Sequence, residues 1–317
     1  MRILVTGSSG FIGYHLVKNL ILLGHEVVGI DDHNDHYNPK LKITRKNLLC
    51  SDSFTFYQTS IHNLDNIPNE FDVAINLAAQ PGVRVQKNRE HLYKATNIDG
   101  FKIFCNYCKK KNIKKVIYAS SSSVYSDEQN IEFNENTSKL IPKSVYGKSK
   151  LHNEEYAQSI HAKNNMNMIG LRFFSVYGPW GRPDMAYYLF AENLKNKRPI
   201  TLFNNGLMYR DMTYIDDIID GVISSIDYLR EKKDSSSHEI FNFGNNKPIS
   251  TKELLDEIIK NLNVNKNISV TNMNSINESF YTHASIEKAQ RILGYNPKVN
   301  FKTGIVRFLE WHDKYTK

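Results

Sequence analysis

Cysteine is scarce in this chain of 317 residues, with only Cys50, Cys105 and Cys108, so a disulfide framework is excluded as a source of stability. Cys105 and Cys108 spell CxxC, yet they fall in a helical pattern with no second pair to complete a zinc site, and neither redox nor metal chemistry is expected of them. No apolar run approaches the ~20 residues that a bilayer span requires. The chain opens directly on an apolar strand, without a signal-peptide pattern, and the expectation is a cytoplasmic protein without membrane association. Internal repeats and low-complexity linkers are also missing. Acidic residues are the scarcer charge, 33 against 41 basic, which leaves a net +8. Such an excess suits nucleic acid or a small anionic ligand. It is diffuse, however: Lys109–Lys111 and Lys114–Lys115 flank a helix end, where cations complement the helix dipole and stay solvated. No nucleic-acid module or interleaved aromatic platform accompanies it, so nucleic acid is not expected as a partner. At 40% hydrophobic residues the chain can bury a large core, divided between two lobes.

What is present begins at residue 2. The apolar strand Arg2–Thr6 runs into Gly7-Ser8-Ser9-Gly10-Phe11-Ile12-Gly13 and an amphipathic helix to about Leu23. Glycines at 7, 10 and 13 allow a tight turn, a close approach of backbone N–H groups to a pyrophosphate, and close packing of helix on strand. The helix N-terminus adds partial positive charge beneath the phosphates. A second strand, Glu26–Ile30, ends at Asp31, eighteen positions past Gly13, about where a carboxylate takes the ribose hydroxyls of NAD and repels the 2'-phosphate of NADP. The run Asp31-Asp32-His33-Asn34-Asp35-His36 has the composition of a metal site but not the spacing of one, and reads as a polar loop over the adenosine ribose; no metal is expected.

Strands then alternate with helix-length segments at Phe54–Tyr57, Val73–Leu77, Val116–Ala119 and Met168–Phe173, and Glu239–Phe243 returns as a further buried strand. The expected fold is α/β: a Rossmann-type doubly wound parallel sheet with a smaller, discontinuous α+β substrate-binding domain. Residues 1–174 and 214–243 are assigned to the cofactor domain, 175–213 and 244–317 to the other. Strand Val116–Ala119 leads into Ser120-Ser121-Ser122-Ser123-Val124-Tyr125, at the sheet edge where ligands of such folds bind. Tyr146 and Lys150 lie four apart at the start of a helix and share a face. A phenol is a poor base at neutral pH; an adjacent ammonium and an oxidised nicotinamide would both favour its phenolate. Lys150 can also hold the nicotinamide ribose.

One run narrows the substrate. Arg172-Phe173-Phe174-Ser175-Val176-Tyr177-Gly178-Pro179-Trp180-Gly181-Arg182-Pro183-Asp184-Met185 resembles the signature of the UDP-glucuronate 4-epimerases, extended short-chain dehydrogenases, differing over that run only by Ser175 for Thr. The resemblance implies that Ser121 joins Tyr146 and Lys150 as the catalytic set. It places Leu77-Ala78-Ala79 and Asn97 beside the cofactor, although Asn97 could instead cap the following helix. It also implies that Arg210, in Met208–Asp217, pairs with UDP phosphate oxygens, while Asp216 and Asp217 open the next helix. Ser122, Ser123 and Ser175 are assigned to the sugar. Ser122, Ser123 and Arg182 are the candidates for its carboxylate, since hydroxyl donors and a guanidinium fix its orientation, although Arg182 could instead make a surface or interdomain ion pair. Thr201–Phe203 reads as a strand lining the uracil site or as plain core.

The chemistry implied is NAD-linked C4 epimerisation through a transient 4-keto sugar that returns on its other face. A 4-keto uronate is a β-keto acid, so its carboxylate must be held out of line with the carbonyl π system. Alternatives are a UDP-glucose or UDP-N-acetylglucosamine 4-epimerase, a UDP-glucuronate decarboxylase, or a non-catalytic NAD-binding sensor. Ser121, Tyr146 and Lys150, all present, argue against the last. Two departures stand out: Ser60-Ile61 where relatives place Asp-Ile or Asp-Val against adenine, and Ser275–Glu278 with Thr282–Ser285 where they carry QPGD and TYAD. In relatives, helices near His91–Lys110 and Tyr146–His161 pair between subunits, so a homodimer is expected.

Overall fold

The computed structural model describes residues 1–68, 70–84, 87–126, 131–136, 139–232, 236–263, 269–274 and 279–315; the departure at Ser275–Glu278 lies outside them. Seven strands, β1 (Arg2–Thr6), β2 (Glu26–Asp31), β3 (Phe54–Gln58), β4 (Val73–Asn76), β5 (Lys115–Ser121), β6 (Asn167–Phe173) and β7 (Ser237–Phe243), make one sheet. Their spatial order is β7-β6-β5-β4-β1-β2-β3, and every pairing is parallel. The order reverses beside β1, which opens a crevice at the strands' carboxyl ends.

Burial on both faces explains why these strands are nearly continuous apolar runs. Ile3 and Val5 of β1 point into one core with Leu16, Val17 and Leu20 of the helix Phe11–Leu22. Leu4, between them, points into the opposite core with Phe101 and Phe104 of the helix Gly100–Lys110. Cys105 and Cys108 sit in that second core, where burial pushes both thiols up. A buried, protonated thiol is inert.

The chain leaves the sheet after β6 and again after β7, and the two exits touch: the Phe174 N–H donates to the Phe243 carbonyl at 3.1 Å. Beyond them, Ser175–Tyr177, Tyr209–Tyr214 and Pro248–Ser250 form a three-stranded sheet, and Ile200–Phe203 pairs with Val270–Met273. Helices Ala186–Lys195, Thr251–Leu262 and Phe301–Tyr315 cover these strands. Asp216 and Asp217 fall in the first turn of the helix Ile215–Glu231. Asp217 also accepts from the N–H groups of Lys298 and Val299 at 2.8 and 3.1 Å, tying the last segment down.

Candidate active site

A cavity of about 910 Å³ runs from the glycine turn to the strands Ile200–Phe203 and Tyr209–Tyr214. Its cofactor end is shaped by what is missing. Gly7 sits at φ +70°, and a Cβ there would lie 2.7 Å from the backbone of Leu77 and Ala78; one at Gly13 would lie 2.1 Å from the Gly7 carbonyl oxygen. No acidic residue occupies the first turn of the helix that follows, so its N-terminus faces the cavity without a competing carboxylate. Gly10, Phe11, Ile12, Asp31, Ile61, Leu77, Ala78 and Ala79 line this end. The chain therefore fits a dinucleotide there.

The loop after β2 is a chain of local turns. Asp31 accepts from the N–H groups of Ser9 and His33, Asp32 from that of Asn34, and Asn34 from that of His36. This turn chemistry accounts for the cluster of acidic and histidine side chains. Burial pushes the Asp31 carboxyl up from its ordinary range, opposed by the charge of Lys42. Lys42, which sequence reasoning passed over, donates to the Asn34 carbonyl and side chain at 2.9 and 2.8 Å and also lines the cavity. Among the described residues no group of three His, Cys, Asp or Glu is arranged to hold a metal, and no helix is long and apolar enough to cross a membrane.

Two expected cofactor residues stand elsewhere. Ser60 is absent from the cavity wall that its neighbours Thr59 and Ile61 line, and its hydroxyl accepts from the His62 N–H at 3.3 Å. Asn97 neither lines the cavity nor caps a helix. It lies within a π-helical stretch, Lys94–Asp99, that continues into the next helix, and its amide exchanges two hydrogen bonds with the Gln80 backbone, at 2.7 and 3.0 Å. The side chain is consumed in fixing the segment after β4, which carries Leu77, Ala78 and Ala79.

The catalytic candidates converge. Ser121 ends β5, and its hydroxyl accepts from the Ser123 N–H at 3.1 Å, turning the chain at Ser122–Val124. The helix Val145–Ile160, capped by Ser144, packs on that turn so closely that a Cβ at Gly147 would lie 2.2 Å from the Ser123 carbonyl oxygen. Gly147 thus permits the approach that sets Tyr146 beside Ser121. Burial pushes the Tyr146 phenol up; the charge of Arg182 and the Ser121 bond pull it down. Lys150 is 1% exposed, donates to the Ala119 carbonyl at 2.8 Å and stands 5.7 Å from the centre of the Tyr146 ring. Burial lowers its pKa to about 8, against the pull of Glu154 one turn further on.

Glu154 belongs to a buried chain of polar groups that the sequence did not reveal. It takes both Nε and Nη2 of Arg172, at 2.9 and 2.7 Å, and accepts from the Ser120 hydroxyl. Arg172 Nη1 donates to the Tyr125 hydroxyl at 2.8 Å, which donates to Asn242 at 2.7 Å. The carboxyl ends of β5, β6 and β7 are thereby locked together under the site.

At the sugar end Arg182 pairs through Nε and Nη2 with Asp184, and His36 stands 3.6 Å from the same carboxylate. Burial opposes the charge of Arg182, but Asp184 outweighs it and holds the guanidinium protonated. Ser122, Ser123, Ser175 and Arg210 also line the cavity. Arg210 donates to the Tyr209 carbonyl at 2.8 Å. Thr201, Leu202 and Phe203 line it as well, and the Arg84 guanidinium, from the segment after β4, lies 3.9 Å from the centre of the Phe203 ring. Beneath Arg210, the carboxylate of Asp211 accepts from the N–H groups of Asn245, Asn246 and Ala284 at 2.6, 3.0 and 2.9 Å. The segment Thr282–Ser285 is thus held largely through its backbone.

Sheet order, glycine turn and Tyr146–Lys150 pair define a class, and residues 3–244 match the model of the NAD dependent epimerase/dehydratase family; the chain belongs to it. Within that class it is 39% identical over 318 residues to an uncharacterized protein of Methanocaldococcus jannaschii, covering 98% of this chain and 95% of that one. It is 35% identical to UDP-glucuronate 4-epimerase 1 of Arabidopsis thaliana, covering 99% of this chain and 77% of the plant protein. Among solved structures, the UDP-glucuronic acid 4-epimerase of Bacillus cereus, crystallised with UDP-glucuronic acid and NAD, is 32% identical and superposes with a TM-score of 0.92 over 99% of this chain and 100% of that one.

Proposed function

We propose that the protein interconverts UDP-glucuronate and UDP-galacturonate at C4. The observation that carries this reading is Arg182, whose Nε–Nη2 edge is taken by Asp184 while its charge reaches Tyr146 in the same cavity. The second edge of the planar fork matches another carboxylate. Gly7, Gly10, Phe11, Ile12 and Gly13 cradle the pyrophosphate of NAD, Asp31 takes its adenosine ribose, and Ile61, Leu77, Ala78 and Ala79 line its path. NAD, when bound, supplies reversible hydride removal at the sugar's C4.

Tyr146, oriented by Ser121, takes the proton of the 4-hydroxyl and later returns it. Lys150 holds the nicotinamide ribose and adds positive charge behind the phenol. Arg182, with Ser122, Ser123 and Ser175, fixes the carboxylate so that its bond to carbon cannot align with a carbonyl at C4. Arg210 holds the diphosphate. Residues 1–174 with 214–243 act as the cofactor domain and 175–213 with 244–317 as the sugar-nucleotide domain. The working form is a cytoplasmic homodimer paired through the helices Gly100–Lys110 and Val145–Ile160.

The test is to incubate purified protein with UDP-glucuronate, without and then with added NAD, and to follow the products by NMR. UDP-galacturonate without carbon dioxide release is the expected result. A UDP-pentose would make the enzyme a decarboxylase. Turnover of UDP-glucose or its acetamido analogue alone would move the substrate to a neutral sugar.

A further inference from the structure

Arg45 is fully buried, at 0% exposure, on the helix Lys40–Asn47. Through Nη1 it donates to the carbonyl of Ser9, in the glycine turn, at 3.2 Å and to the Tyr37 hydroxyl at 2.7 Å. Through Nη2 it donates to the carbonyls of Trp180 and Gly181, at 2.5 and 3.0 Å, immediately before Arg182. One guanidinium therefore grips both the turn that cradles a dinucleotide and the loop that presents the sugar arginine. All four acceptors are neutral oxygens, and Nε is buried without a partner. Burying a cation in this way is a poor route to stability, because desolvation is offset only by neutral dipoles.

The loop it grips does not hold itself. Trp180 lies at φ +60°, a left-handed conformation that a bulky residue adopts only when its surroundings impose it. Its ring is wedged among Tyr14, Trp311 and Tyr315, with centroids 5.9, 5.1 and 5.0 Å away. The preceding carbonyl, Pro179, lies 2.9 Å from Nε2 of His15, on the helix that opens at the glycine turn. Burial lowers the His15 pKa to about 4, so the ring is neutral at working pH and its Nε2–H donates. Three successive carbonyls before Arg182 are thus tied to elements of the cofactor cradle.

We propose that Arg45 is a positioning residue that couples occupation of the dinucleotide cradle to the aim of Arg182, so that NAD and the sugar carboxylate bind cooperatively. The proposal rests on the uronate reading above. Coupling of this kind is reciprocal.

The test uses R45M and R45K in the full chain, with R182A and the double variant R45M/R182A for reference. NAD retained after desalting is measured, together with Kd by calorimetry for UDP-glucuronate, UDP-glucose and UDP. R45M is expected to lose NAD and to weaken UDP-glucuronate about tenfold or more, while UDP stays within about twofold. R45K should fall between, and R45M/R182A should bind UDP-glucuronate no more weakly than R182A. Equal losses for UDP and UDP-glucuronate, full additivity with R182A, or unchanged uronate affinity would overturn the coupling. If R45M does not fold, His15→Phe, which removes the tie to Pro179, takes its place in the same comparison. Wild-type protein that prefers UDP-glucose overturns the uronate reading instead; a wild-type uronate preference that R45M leaves intact overturns only the coupling.

Discussion

At the scale of single residues, Lys150 sets function against stability. Its ammonium is fully buried and donates to the Ala119 carbonyl, and its folded-state pKa of about 8 lies below the ordinary 10.5. Folding is therefore penalised while the lysine is charged, and the penalty is lifted as pH rises from about 8 towards 10.5. Lys150→Met should abolish NAD retention and turnover yet stabilise the NAD-free protein at pH 7, by on the order of 2–3 kcal/mol. Thermal melts at pH 7 and pH 10 check the sign, because the gain must shrink at the higher pH. Tyr146→Phe, which keeps the ring and removes the proton carrier, should cut kcat about 100- to 10,000-fold with little change in Kd for UDP-glucuronate. For Arg182→Lys, titration should find UDP-glucuronate bound about 10- to 100-fold more weakly and UDP-glucose unchanged; equal effects on both sugars would remove the carboxylate from its role.

At the scale of elements, the ends of β5, β6 and β7 are joined by Ser120, Glu154, Arg172, Tyr125 and Asn242 in addition to the Phe173–Phe243 ring contact. The Glu154 and Arg172 side chains are 6% and 3% exposed, so Glu154→Gln strands a buried guanidinium and should cost about 3–5 kcal/mol, read as a fall in the urea midpoint. The double replacement Glu154→Gln with Arg172→Met should recover part of that loss, since the orphaned charge is gone. This network also marks where sequence reading stopped. The strands, the glycine turn and the Tyr146–Lys150 face were legible because their signals are local: apolar runs, glycines at fixed spacing, a helical repeat of four. Glu154, Arg45 and Asp184 carry no such signal. Glu154 finds its partners 18 and 34 residues away, and Arg45 bonds Tyr37 eight residues away but its three backbone carbonyls 36 to 136 residues away, so the arginine's meaning depends on which carbonyls the fold delivers to it. The resemblance places Asn97 beside the cofactor, but only the fold shows that its amide is used up on the Gln80 backbone and the Ser149 hydroxyl. Asp184 lay inside the run that was read, hidden by the charge of its neighbour Arg182.

At the scale of the molecule, the cavity is walled both by the seven-stranded sheet and by the strands Ile200–Phe203 and Tyr209–Tyr214, and the chain leaves the large sheet at adjoining points, Phe174 and Phe243. A cofactor held at the glycine turn, to which Arg45 ties the loop before Arg182, should stabilise the whole rather than a part. Saturating NAD, at about 100 times its Kd, is expected to add about 2.7 kcal/mol and to keep unfolding a single transition in calorimetry. A melt in which only one of two transitions moves would mean that the lobes unfold separately.

The grip of Asp211 on the N–H groups of Asn245, Asn246 and Ala284 has a consequence for how such a site changes over time. Main-chain anchoring is blind to side-chain identity. Of Thr282–Ser285 only His283 stands clear of the core and can exchange its side chain while the backbone keeps its path; Thr282, Ala284 and Ser285 are buried, and the Thr282 hydroxyl accepts from the Asp211 N–H at 3.2 Å. His283 is thus the position at which the stretch can be retuned, with Asp211 left untouched as the peg on which its backbone hangs.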